Sequence, residues 1–152
     1  MATAKKTTKS TGSGYDGFTE DEKAAMKEHA ADMKRAAKKG SAADAEGEIF
    51  AKIAEMSDAD RPLAEKVHDL VKKNAPDAGF RTWYGMPAYT KNGKIICFFQ
   101  PALKFKARYS TLGFNEDANL DEGNVWATAF ALSKLTAADE KRLGALVKQA
   151  FS

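Results

Sequence analysis

Three cations, Lys104, Lys106 and Arg108, alternate with Phe105, Ala107 and Tyr109. Successive side chains of an extended strand point to opposite faces, so this spacing predicts all three cations on one face of a strand over about 103–111. Such a row is either the solvated face of an antiparallel sheet or a cationic wall for an anionic ligand, a carboxylate or a phosphate. Like charges at every second residue repel, and a bound anion relieves that repulsion. Trp83, Tyr84, Met86 and Phe98 are the apolar groups available to form the sides of a concave site. The candidate ligand-binding set is therefore Trp83, Tyr84, Met86, Phe98, Lys104, Lys106 and Arg108, and the expected partner is an anionic small molecule. With the lysines of the tail, the same pattern could also serve single-stranded nucleic acid, which the near-neutral charge of the rest of the chain disfavours.

Other reactive side chains are scattered. His29 and His68 stand apart from any Cys or His at a ligand spacing, and His68, beside Val67 on an apolar stripe, reads as a structural histidine. Cys97 lies between Ile96 and Phe98, where a buried thiol is inert. Glu116, Asp117, Asp121 and Glu122 supply hard oxygen ligands, but their spacing does not match an EF-hand loop. A solvated acidic loop is the plain reading of these four, and a divalent cation or iron the alternative. The residues Gly12, Gly14 and Gly17 match the letters of a dinucleotide fingerprint, which has meaning only between a strand and a helix. Here the motif follows a polar tail and reads as a linker. No nucleophile elbow, phosphate-binding loop or paired-cysteine motif is present, so no enzyme and no resident cofactor are expected.

The elements that must position these groups follow from period and punctuation. Residues 1–17, built of Lys, Thr, Ser and Gly, read as a disordered basic tail. Thr19 and Glu22 form a capping box for a helix running to about Lys39. Ile49, Phe50, Ile53 and Met56 mark a second helix, and 18–57 together read as a helical extension. A third helix opens at Asp60 with Pro62 in its first turn and buries Leu63, Val67, Leu70 and Val71. From Phe80 the period becomes two. A strand over about 80–91 is interrupted at Gly85-Met86-Pro87, where the backbone freedom of glycine and the missing amide of proline predict a bend. Asn92-Gly93 predicts a hairpin turn into a central strand from Lys94 to Gln100. The cationic strand follows, then the acidic loop, a fourth strand over about 125–132, and a last helix after Thr136 that buries Leu143, Leu146, Val147 and Ala150. The fold class expected is α+β: an antiparallel sheet of about four strands packed against helices, with 58–152 and the helical extension forming one compact unit.

The segment Trp83-Tyr84-Gly85-Met86-Pro87-Ala88-Tyr89, followed by Asn92-Gly93-Lys94 and the Phe98-Phe99 strand, resembles the YdhG-like family of bacterial proteins over roughly 58–151. That resemblance implies a strand pair closed by a C-terminal helix, in a domain mostly of unknown function. The family is grouped with frataxin-like folds, so an iron-chaperone role acting through carboxylates is implied as the alternative function. Frataxins use a carboxylate-rich helix; in this chain Glu20, Asp21, Glu22, Glu28 and Asp32 lie outside the shared region and are interleaved with lysines.

Composition bounds the setting. The 152 residues, 43% hydrophobic and 30% charged, suit a globular domain. The net charge of +3 is concentrated: 78–115 holds Arg81, Lys91, Lys94, Lys104, Lys106 and Arg108 and no acid. The longest apolar run, Ile95 to Phe99, is far too short to span a bilayer, so no membrane partner is expected. The single cysteine excludes a disulfide within the chain, and a reducing, cytoplasmic setting is the simplest expectation.

Overall fold

The computed structural model describes residues 19–37 and 41–152, side chains of 35–37 excepted; the basic tail and the Gly12–Gly17 motif lie outside them. Three helices come first: α1 (Glu20–Ala37), α2 (Ala42–Ala54) and α3 (Asp60–Asn74). Five strands follow, β1 (Gly79–Trp83), β2 (Met86–Lys91), β3 (Lys94–Gln100), β4 (Ser110–Phe114) and β5 (Ala129–Leu132), and α4 (Ala137–Ala150) closes the chain. The strands form one antiparallel meander in the order β1-β2-β3-β4-β5. The fold is α+β.

Local chemistry explains most boundaries. The Glu22 amide donates to Thr19 Oγ1 at 3.1 Å in the first turn of α1. Reciprocal capping boxes open α2 (Ser41 with Asp44) and α4 (Thr136 with Asp139), each satisfying amides that the first turn leaves orphaned. Ile49 and Ile53 of α2, Val67 and Val71 of α3, and Val147 of α4 pack with Tyr89, Cys97, Phe99 and Leu112 in a single core. Each such buried aliphatic side chain contributes on the order of 2 kcal/mol. This core holds one sheet face against the helices. Because Phe80 pairs with Tyr89 on that face, Trp83, three residues on, points to the opposite one.

Three strand expectations are corrected. The sheet has five strands, because the break at Gly85 is a complete reversal and not a bend. Tyr84 (φ 52°) and Gly85 (φ 75°) occupy the two left-handed positions of a tight hairpin turn, and Trp83 pairs directly with Met86. Asn92 (φ 53°) and Gly93 (φ 79°) repeat that geometry at the next hairpin, as the sequence predicts. The cationic segment is not a strand before Ser110. It folds into turns closed by the Lys106 amide on the Leu103 carbonyl and the Ala107 amide on the Ala102 carbonyl. Lys106 itself is left-handed (φ 53°), so the alternation on which a shared cationic face depended is lost. Finally, β5 begins at Ala129 instead of Val125, and Val125 stands exposed.

Candidate functional site

The tip of the β1–β2 hairpin is where α1, α2 and the 101–107 turn converge. Tyr84, unusual as a non-glycine with positive φ, is held by stacking on His29 of α1, with ring centroids 4.1 Å apart and planes at 12°. Beside it Asp32, only 1% exposed, accepts the Thr82 hydroxyl at 2.6 Å and the Gly85 amide at 2.9 Å. The φ of Gly85 favours glycine, and a β-carbon there would also have to push aside the ends of the Glu28 and Lys104 side chains.

Glu28 is the hub. Its Oε2 accepts Lys104 Nζ at 2.5 Å and lies 3.4 Å from Lys52 Nζ. Lys104 also reaches the Tyr84 carbonyl at 3.5 Å, and Lys52 pairs with Glu55 at 3.8 Å. Glu28 and Lys52 are 23% and 19% exposed, so these pairs are partly screened from water and worth more than fully exposed ones. Around them runs a cavity of about 360 Å³ with apolar walls from Met56, Pro101 and Leu103 and polar ones from Glu28, Lys52, Glu55, Ser57, Asp60 and Lys104.

Asp60 builds the far wall. Its carboxylate accepts the Leu103 amide at 3.0 Å and the Ser110 hydroxyl at 2.9 Å, tying the N-terminus of α3 to both ends of the turn that carries Lys104. Burial acts to raise its pKa, but the hydrogen bonds from Leu103, Ser110, Ser57 and Ala102 together outweigh burial and hold it below the usual aspartate value. This capture pins both ends of the segment that turns away from the sheet before Ser110.

The seven candidate ligand-binding residues are thus divided. Lys104 lines the cavity, and the Tyr84 carbonyl accepts its ammonium at 3.5 Å without lining the cavity itself. Trp83 and Phe98 pack edge to face at 5.3 Å on the outer sheet face, with the Phe98 ring against Gly113. Met86 is buried. Lys106 pairs with Asp21 of α1 at 2.6 Å, a contact that raises the lysine pKa, and Arg108 lies over the Tyr109 ring at 5.4 Å. Among the described residues no three acid, His or Cys side chains are grouped to hold a metal, those of Glu116, Asp117, Asp121 and Glu122 included, and Asp117 pairs with Lys94 at 3.6 Å. Glu28, Lys52, Glu55 and Asp60 were not legible as site residues, since their convergence follows no sequence period.

His68 is 2% exposed and fully engaged. Its Nε2 is 2.6 Å from Glu46, which hydrogen bonds from Lys72 and from His68 hold below the usual glutamate pKa. An ionised Glu46 accepts a hydrogen bond from Nε2, and Nδ1 lies 2.9 Å from the Tyr89 hydroxyl, whose hydrogen bond it accepts when the ring is neutral. Burial pushes the Tyr89 hydroxyl pKa well up, and likewise that of the Cys97 thiol.

Fold and site together define an α+β domain with a mixed-charge cavity at one hairpin tip. Comparison of the chain with family models, with curated proteins and with solved structures finds no match. Among the described residues no helix is long and apolar enough to cross a membrane.

Proposed function

We propose that this is a non-enzymatic binding domain for a small molecule whose anionic group is taken by Lys104 and Lys52 in the cavity. The observation that carries this reading is Glu28: a carboxylate of the chain itself sits between the two ammonium groups, so the position is already one that a carboxylate fits. The apolar walls and the volume are those of a small-ligand site. The ligand therefore carries the anionic group expected from the sequence, with the site moved from a strand face to this cavity. The same reading keeps the proposed YdhG-like affinity and cytoplasmic setting, neither of which the binding role depends on.

The test is a melting-point screen at fixed ionic strength with amino acids, plain organic acids and phosphate, run on wild type and Lys104→Met. At least one member should raise the wild-type midpoint by a few degrees and leave the variant unmoved. If no member stabilises the wild type beyond the ionic-strength control, the binding reading fails.

A further inference from the structure

The charged side chains at the cavity form a row of alternating sign: Glu55, Lys52, Glu28, Lys104. Every neighbouring pair is joined, at 3.8, 3.4 and 2.5 Å in that order. A plain anion that takes Lys104 must push Glu28 aside and separate a partly buried carboxylate from its shortest partner. Glu28 would then keep only Lys52, at 3.4 Å and shared with Glu55, so a plain anion trades the shortest pair of the row for one new ion pair at a half-open site and adds none. Asp60 adds another carboxylate to the wall, so the lining acids Glu28, Glu55 and Asp60 outnumber Lys52 and Lys104 and oppose a ligand of net negative charge.

A ligand that carries an ammonium group beside its carboxylate escapes this penalty. Its carboxylate takes Lys104, its ammonium takes Glu28, and one ion pair becomes two. We propose that the occupant is a zwitterion of the amino-acid type, inserted between Glu28 and Lys104, with a small apolar side chain against Met56, Pro101 and Leu103. The cavity volume of about 360 Å³ is at the lower end for ligand sites, in keeping with a single amino acid and not a peptide.

This inference rests on the binding reading above, and the experiment separates the two. Each common amino acid and glycine betaine is titrated into the full-length protein, with binding followed calorimetrically. The tightest binder is then compared with its analogue lacking the amino group and its analogue lacking the carboxylate. Each half-ligand should bind at least about tenfold more weakly than the whole. Glu28→Gln should reverse the preference: the amino acid loses affinity, while the acid lacking the amino group gains it because no carboxylate competes for Lys104. A mere loss of fold would weaken both. If the acid alone binds wild type within about threefold of the amino acid, the zwitterion assignment fails and the binding function stands. If only plain acids or phosphate bind, the outcome is the same; if nothing binds, both are lost.

Discussion

The Gly85 amide points into the carboxylate of Asp32 at 2.9 Å, and this bond joins the tip of the β1–β2 hairpin to the middle of α1. Apart from Asp32, the exposed Met26 and Met33 show how little apolar surface α1 commits to the body. Its seating is polar: Asp32 on Thr82 and Gly85, His29 on Tyr84, Glu28 on Lys104 and Asp21 on Lys106. Of these contacts, the Glu28–Lys104 pair is the one that a ligand in the cavity would contest.

Asp32→Ala should lower stability by about 2–3 kcal/mol, because it removes the buried carboxyl that accepts both the Thr82 hydroxyl and the Gly85 amide. Urea unfolding measures the loss, and faster exchange of the Gly85 amide would locate it. A change below about 0.5 kcal/mol would mean that α1 is not docked through this bond.

Gly85→Ala and Gly93→Ala place the same strain on the backbone, since both glycines have positive φ (75° and 79°). Each should cost about 1–2 kcal/mol for an L-residue in that region. At Gly93 a β-carbon meets open space, whereas at Gly85 it meets Glu28 and Lys104. Gly85→Ala should be the more damaging in thermal unfolding, and it should also abolish ligand-induced stabilisation while Gly93→Ala keeps it.

Acid should weaken the Asp60 tie in a defined direction. Its folded pKa lies below the ordinary value of 3.8, so the ionised form is favoured by folding. That contribution is complete above the unfolded value and disappears as pH falls from there through the folded one. In chemical unfolding across this range, Asp60→Asn should be less stable than wild type at neutral pH and should lose less stability on acidification. Parallel acid limbs for the two proteins would contradict the assignment.

Lys106→Met should leave the melting point within about a degree of wild type, since Lys106 pairs with Asp21 at an exposed surface where ion pairs contribute little. It should also leave ligand affinity unchanged, in contrast to Lys104→Met. Equal loss of binding in both variants would restore a continuous cationic face.

Cys97 is fully buried and its thiol pKa is raised by burial, so the native protein should resist alkylation at neutral and mildly alkaline pH. Modification rates should rise with denaturant in step with unfolding, read by mass spectrometry.

Much of the architecture was legible because local chemistry determined it. Asp60 and Pro62 mark the start of α3, Asn92-Gly93 the second hairpin, and the doubly apolar run Ile95 to Phe99 an inner strand; each signal is carried by adjacent residues. The helical stripes Leu63–Val71 and Leu143–Ala150 found the core for the same reason. Tyr84-Gly85 was hidden, because a tyrosine with φ of 52° is uncommon and the groups that support it here, His29 and Asp32, come from α1. The segment with Lys104, Lys106 and Arg108 has the period of a strand, yet the Asp60 carboxylate, distant in sequence, takes its amide and hydroxyl donors and folds it into a turn. Ion pairs impose no period on a sequence, and Glu28 meets Lys104 across 76 positions. The cavity and its charge row were therefore decided by tertiary packing alone.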